Sequence, residues 1–395
     1  MRAEKMRRNL LFYFLMLVGY FCFAQNSMER KRVKLFLAGD VMTGRGIDQT
    51  LKVSVEPVLY EPFVRDARDY LFLAERENGE LELPLSYRYI WGDALKVWKQ
   101  RNPHLKLINL ETSITIHDEP WPHKGIHYRM HPKNVGLLTV AGIDHCSLAN
   151  NHVLDWGRKG LAETLNTLEE AKIAFSGAGK DEERAKEPAV FHVEGTRVLV
   201  YSYGSLGSGI PNSWAAKNDR SGVNFLPGFD EQQIREIQKH ISSDKKKGDI
   251  VIFSVHWGPN WGYDVPSVHR RFAHALIEKA GVDVIFGHSS HHPMGMEVYK
   301  NKLIIYGAGD FINDYEGISG NEKYRGELSL MYFPELDPES GDLVKLEMVP
   351  MQIRRFSLGR ASKKDAAWLQ EVLHRESQKF GVGIDLKNGI LETRF

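Results

Sequence analysis

The chain has 395 residues, 42% of them apolar and 26% charged, an ordinary balance for a folded globular protein that excludes wholesale disorder, a fibrous repeat and a polytopic membrane protein. Lys and Arg number 52 against 51 Asp and Glu, so no basic excess points to nucleic acid and no acidic excess to a solvating tail. A chain of this length can bury a large core without disulfides or structural zinc.

Residues 1–9 carry Arg2, Lys5, Arg7 and Arg8 against Glu4, and residues 10–23 form an unbroken apolar or aromatic run of 14. Cys22 and Ala24 place small residues at the −3 and −1 positions before Gln25. Together these predict a secretory signal peptide over residues 1–24, and hence an exported protein, periplasmic or extracellular. The alternative is an uncleaved N-terminal anchor, although the apolar run is shorter than the roughly 20 residues of a bilayer span. Bulky Phe21 argues against a lipoprotein site at Cys22. Cleavage leaves 48 basic and 50 acidic residues and one cysteine, Cys146, so the mature chain has no internal disulfide. Its apolar surroundings predict a buried, inert thiol.

One pattern then recurs along the chain: a short β-branched or apolar run that ends in polar, potentially metal-binding residues. Residues 33–38 run into Gly39-Asp40, 105–108 into Asn109-Leu110-Glu111, and 146–149 into Asn150-Asn151-His152. Further on, 250–255 run into His256-Trp257-Gly258, 282–286 into Gly287-His288 and His291, and 303–306 into Gly307-Ala308-Gly309-Asp310. Such runs predict buried strands. Helical spacing lies between several of them: Leu161, Leu165 and Leu168; Ile234 and Ile237; Phe272, Leu276 and Ile277. Alternating strands and helices predict an α/β sandwich, whose ligands bind at the carboxyl ends of the strands.

Residues 51–100, rich in Tyr, Arg and Glu, are expected to form a helical insertion beside the site, and 204–228 an ordered loop or lid. Strand alternation returns over 327–333 and 343–353, and an amphipathic helix is predicted over 363–380. The domain is drawn as residues 33–355, with 356–395 as a C-terminal helical extension whose last 15 residues are peripheral.

The donors at these strand ends are Asp40, Glu111, Asn151, His152, His256, His288 and His291. Carboxylate, carboxamide and imidazole together suit Mn, Fe or Zn, with Mg less favoured by so many histidines. Each residue alone has an ordinary role, as a turn residue or a surface histidine. Their recurrence at one sheet edge points to a shared site.

In order, Gly39-Asp40-Val41-Met42-Thr43-Gly44-Arg45, Asn109-Leu110-Glu111, Ala149-Asn150-Asn151-His152, His256-Trp257-Gly258, Gly287-His288-x-x-His291 and Tyr306-Gly307-Ala308-Gly309-Asp310-Phe311 resemble the CapA family, the poly-γ-glutamate capsule biosynthesis proteins. Their domain is similar to calcineurin-like metallophosphoesterases. The resemblance implies a four-layer α/β/β/α sandwich with one or two divalent ions at its strand ends. It implies Asp40, Glu111, Asn151, His256, His288 and His291 as metal ligands, His152 as proton donor to the leaving group, and Arg45 as a contact to an anionic group. The departures are Met42 where the phosphoesterases carry His, Glu111 for their Asp, a wider His288-to-His291 spacing, Val153 after the Asn-His pair, and Asp310 where Asn is commoner.

The implied function is an exported, metal-dependent hydrolase of capsule or envelope polymer metabolism, acting on an anionic polymer or a phosphoester. The alternative is a non-catalytic accessory protein that binds poly-γ-glutamate or its membrane synthase complex. Met42 favours the latter, the Asn151-His152, His256 and His288/His291 set the former.

Overall fold

The computed structural model describes residues 31–395. The segment expected to be a signal peptide lies outside them, and no helix among the described residues is long and apolar enough to cross a membrane. In chain order the main elements are β1 (Val33–Val41), α1 (Arg68–Asn78), α2 (Ala94–Arg101), β2 (Leu105–Leu110), α3 (Gly136–Ala141), β3 (His145–Ser147), α4 (Gly157–Glu170) and β4 (Ala174–Ser176). There follow β5 (Ala189–Val193), β6 (Thr196–Ser205), β7 (Phe225–Leu226), α5 (Glu231–Asp244), β8 (Ile250–His256), α6 (Ser267–Ala275), β9 (Val284–His288), β10 (Met296–Tyr299) and β11 (Lys302–Ile305). The chain closes with β12 (Asp310–Ile312), β13 (Leu328–Leu336), β14 (Leu343–Arg354), β15 (Ser357–Arg360), α7 (Lys363–Gln378), β16 (Gly383–Lys387) and β17 (Ile390–Arg394).

Two sheets result. The first has ten strands, in the order β16-β17-β14-β13-β1-β2-β3-β4, with β12 also on β1 and β15 on β14. The second has seven, in the order β7-β6-β8-β9-β11-β10, with β5 on β6.

Strand alternation builds the layers. Val33, Leu35 and Leu37 of β1 point into one apolar cluster with Val198, Val200, Ile250, Ile252 and Ile305 of the second sheet. Phe36, Ala38 and Val41 point the other way, into a cluster with α2, α3 and α4. On the second sheet Val251, Phe253 and Val255 face Ile234, Ile237 and Ile241 of α5 and Phe272 of α6. The sequence of layers is helices, sheet, sheet, helices, which is the expected α/β/β/α sandwich. Each sheet is buried on both faces, which is why its central strands read as continuous apolar runs. Asp230 and Ser362 cap α5 and α7, accepting from the backbone N–H groups of Gln233 (3.0 Å) and Asp365 (3.2 Å).

Three further stretches complete the fold. The insertion expected over about 51–100 holds two helices, α1 and α2, joined by irregular chain. Residues after 355 hold the expected helix, α7, but they are part of the domain and not an extension from it: β15 to β17 join the first sheet, Ile384 and Leu391 enter the interlayer core, and Val33–Phe395 form one compact unit. The last 15 residues are therefore a sheet edge, turned by Asn388 and Gly389, both at positive φ. The 204–228 stretch is an ordered loop, as expected, tied down where Ser208 Oγ donates to the His256 carbonyl at 2.9 Å.

Candidate metal centre

Register delivers the donors. β1 pairs with β13 at Leu37 but with β12 at Asp40, so Asp40 and Asp310 become neighbours in parallel register. That switch needs Gly39: a Cβ there would lie 1.9 Å from the Gly309 carbonyl oxygen. Asp40 is also level with Asn109 of β2, and His256 with His288. Carboxyl ends of parallel strands from both sheets thus meet at one edge.

The seven expected donors come together. His256 Nδ1 and His288 Nδ1 are 2.7 Å apart, and His256 Nε2 is 3.0 Å from Asn151 Oδ1. Glu111 Oε1 lies 3.6 Å from His256 Nε2 and 3.9 Å from His152 Nε2. His291 Nδ1 is 2.9 Å from Asp310 Oδ1. Two donor groups share Asp40: one with His256 and His288, one with His291 and Asp310, and within each the donor atoms lie within 4.8 Å of one another.

Residues not predicted as donors hold this cluster. Asn109 Nδ2 donates to Asp40 Oδ1 at 2.8 Å and to Glu111, and Asn150 Nδ2 donates to Asn109 Oδ1 at 3.0 Å. Asn313 Nδ2 donates to Asp310 Oδ2 at 2.7 Å. Asp310 is the donor absent from the predicted set. Its Gly-Asp repeats the Gly39-Asp40 pattern, and that repetition is the signal. Met42, where the resembled phosphoesterases carry His, is buried, and beside Asp40 the second donor group is built from His291 and Asp310 instead.

The electrostatics are those of a site that wants positive charge. Burial, with Asp310 beside it, pushes the Asp40 carboxyl up to about 7. Burial and Asp40 hold Glu111 well above the carboxylate range. Burial works against a charged His291, but Asp310 outweighs it and raises the imidazole. Asp40 Oδ2 is buried and accepts no hydrogen bond. An orphaned carboxylate oxygen in a cluster of buried imidazoles and acids is costly alone and is what a divalent cation satisfies. The residues present fit such an ion.

His152 and Asn151 diverge. His152 Nδ1 is 2.7 Å from Asp155 Oδ2, and its ring stacks on Tyr128 at 3.9 Å. Lys124 Nζ lies 3.2 Å from the same nitrogen and 2.7 Å from Asp155 Oδ1. Burial first, and Lys124 next, hold His152 well below the usual histidine range. With Nδ1 engaged by Asp155, Nε2 is the nitrogen that faces Glu111. His152 does not cap α4, whose N-terminus has no side-chain cap.

Arg45 departs from expectation. It is buried; its Nε donates to Asp314 Oδ2 at 3.0 Å, its Nη1 donates to Glu61 Oε1 at 2.9 Å, and its guanidinium lies 3.5 Å over the Tyr70 ring. Gly46 N–H also donates to Asp314 at 2.9 Å. The guanidinium is committed inside the protein, where it pins the turn after β1 to the segment after β12. A free anion contact at Arg45 is not what the geometry offers. Cys146 is buried, and burial pushes its thiol up, as an inert core residue requires.

Asn151 and His291 are the less buried members of the cluster. Past His291 opens a cleft of about 760 Å³ lined by Trp261, Asn313, Tyr315, Ile318, Arg325 and Arg354. The Trp261 ring is 5.3 Å from that of His291.

Comparison with known proteins places the chain. A family model described as bacterial capsule synthesis protein PGA_cap matches residues 34–315. A probable polyglutamine synthesis accessory protein of Mycobacterium tuberculosis is 45% identical over 354 residues, covering 89% of this chain and 93% of its own length. The capsule biosynthesis protein CapA of Bacillus anthracis is 28% identical over 259 residues, 60% of this chain and 61% of its own. The PGA biosynthesis protein CapA of Bacillus subtilis is 28% identical over 280 residues, 70% of this chain and 62% of its own.

Proposed function

The chain belongs to the bacterial capsule synthesis protein PGA_cap family, and on that premise we propose that it is exported and serves polyglutamate or envelope-polymer synthesis as a metal-dependent hydrolase of an anionic polymer or phosphoester. The observation that carries this reading is the His152–Asp155 pair set against the donor groups Asp40, His256, His288 and Asp40, His291, Asp310, with an orphaned carboxylate oxygen on Asp40. A non-enzymatic binding module has no need of a buried imidazole aimed at such a cluster.

A divalent cation held by Asp40, His256, His288, His291 and Asp310 would supply an activated water and a Lewis acid for a developing oxyanion. Asp155 fixes the ring of His152 so that Nε2 is the working nitrogen. His152 would hold a proton on this nitrogen and donate it to the leaving oxygen. Asn109 and Asn150 keep Asp40 and Glu111 in place. The cleft beyond His291 receives the rest of the substrate.

The test is turnover of p-nitrophenyl phosphate esters and of poly-γ-glutamate by the purified chain with added Mn²⁺ or Zn²⁺. Hydrolysis that His152→Ala abolishes while metal content stays at the wild-type level supports the enzyme. The second reading, an accessory protein that binds poly-γ-glutamate or its synthase complex, is favoured by Met42 and by the accessory role named for the M. tuberculosis relative. Binding of poly-γ-glutamate with no turnover of any of these substrates would establish it instead.

A further inference from the structure

Where the 204–228 loop meets the start of α4, two arginines and a tryptophan come together. Arg158, in the first turn of α4, donates through Nη2 to the Ser213 carbonyl at 2.8 Å. That bond fastens it beside Trp214, which is fully buried with its ring 5.4 Å from that of Trp121. The Arg158 guanidinium lies 5.7 Å from the same Trp121 ring. The loop then turns back on itself. Lys217 and Arg220 exchange two backbone hydrogen bonds, at 2.8 and 3.0 Å, and Ala216 N–H donates to the Val223 carbonyl at 3.0 Å. The close return needs Gly222, where a Cβ would lie 2.2 Å from the Trp214 carbonyl oxygen. Arg220 is thereby carried back toward Arg158, and the two like charges oppose each other.

Three N–H groups of this cluster are shut off from water and have no acceptor: Arg158 Nη1, Trp214 Nε1 and Arg220 Nε. Buried donors are nearly always bonded, so three orphans in one place need an explanation. Neither guanidinium has a carboxylate partner among the described residues. The acids nearby are used elsewhere or turned to solvent. Glu119 lies 3.3 Å from His117 and 3.8 Å from Lys159, Asp155 is held by Lys124 and His152, and Asp219 is exposed. Burial, and then Arg220, work against the charge on Arg158 and lower its pKa. The first turn of α4 carries no acid and no side-chain cap, only Arg158 and Lys159. Acids are the usual occupants of that turn, because the helix end is itself positive.

Positive charge, a helix N-terminus and unmet donors all call for one complement, an anion with several acceptor oxygens. We propose that Arg158, Arg220 and Trp214 form an oxyanion-binding site that takes a carboxylate or phosphate group. Guanidinium forks match the oxygens of either group, and the indole N–H supplies a further donor. Lys124 stands between this site and the metal centre, with Nζ 2.7 Å from Asp155 Oδ1 and 6.0 Å from the centre of the Trp214 ring. The site therefore flanks the His152 side of the centre, where an anionic group of a long substrate can be held away from the reacting bond.

No metal enters the test, so its failure leaves the metal reading standing. Orthophosphate, and separately poly-γ-glutamate, are titrated by calorimetry into the full chain in EDTA at low salt. Wild type should bind orthophosphate, and Arg158→Gln and Arg220→Gln should each bind it at least about tenfold more weakly. Arg220→Lys keeps the charge without the fork and should lose less. Competition between the two probes supports the site as a subsite for the polymer's carboxylates. Orthophosphate binding that the polymer leaves unchanged supports it as a site for a small free anion. Neither probe binding to wild type, or equal affinities in wild type and both Gln variants, overturns the proposal. Without anion, Arg220→Gln should unfold at the wild-type urea concentration or above, since it removes one of two opposed charges. Earlier unfolding shows a structural arginine and also overturns it.

Discussion

Asp40→Asn should stabilise the metal-free protein and destroy its response to metal. In the metal-free site Asp40 sits beside Asp310 and Glu111, and burial together with Asp310 lifts its carboxyl from 3.8 to about 7. Because the folded value is raised, the unfolded chain releases this proton first. Stability therefore falls as pH rises from about 4 to about 7, and the full penalty is present above 7. Each tenfold change in proton affinity is worth about 1.4 kcal/mol, so the penalty approaches about 4 kcal/mol at pH 8, an upper value because Glu111 and Asp310 share the strain. Asparagine keeps an oxygen for Asn109 and carries no charge. A divalent cation reverses the balance in wild type, adding about 2.7 kcal/mol when present at a hundred times its dissociation constant. Urea unfolding at pH 8, with EDTA and then with Mn²⁺, reads both effects. The variant should be the more stable protein in EDTA and the less responsive one in Mn²⁺. A variant less stable than wild type in EDTA, or one that gains as much from Mn²⁺, would refute the reasoning.

His152→Ala should leave metal content and the unfolding midpoint near wild type and lower turnover by roughly a hundredfold to ten-thousandfold, the range for a lost proton-transfer group; unchanged turnover removes His152 from the chemistry. Arg45→Ala should cost about 3–5 kcal/mol, because it leaves Asp314 and Glu61 buried and unpaired; a loss under about 1 kcal/mol in urea would show that Arg45 is not the anchor described. Acid should also unfold the chain through His145, whose folded value of about 3 lies below that of the unfolded chain. Its neutral form costs nothing above about pH 6.5, and stability is lost as pH falls toward 3, by about 2 kcal/mol at pH 5. The loss between pH 7 and 5 should be smaller by that amount in His145→Gln, and equal losses would contradict it.

The strand ends were legible because buried parallel strands read as apolar runs, and where such a run stops, as at Ala38 or Val255, the next residues face the site. That local signal was enough to bring seven donors to one edge. Partners in space were not legible. Nothing near Arg45 in sequence announces that its charge is spent on Asp314, 269 positions away. Asp310 reaches Asp40 only because β1 changes partner between Leu37 and Asp40, a matter of sheet register. Ser147, Ser176, Ser202 and Ser254 look like unrelated strand residues until two sheets are laid face to face and their hydroxyls meet. The C-terminal hairpin is a different case. Asn388-Gly389 between alternating Leu386 and Leu391 is a strong short hairpin signal, masked by the position of these residues at the chain end.

The measurement that bears most directly on the central claim is elemental analysis of the purified chain after reconstitution and desalting, beside Asp40→Asn and His256→Ala. A metal centre at these strand ends predicts one or two equivalents of Mn, Fe or Zn in wild type and a marked loss in both variants. Wild-type protein that retains no divalent metal, or variants that retain as much as wild type, would contradict it.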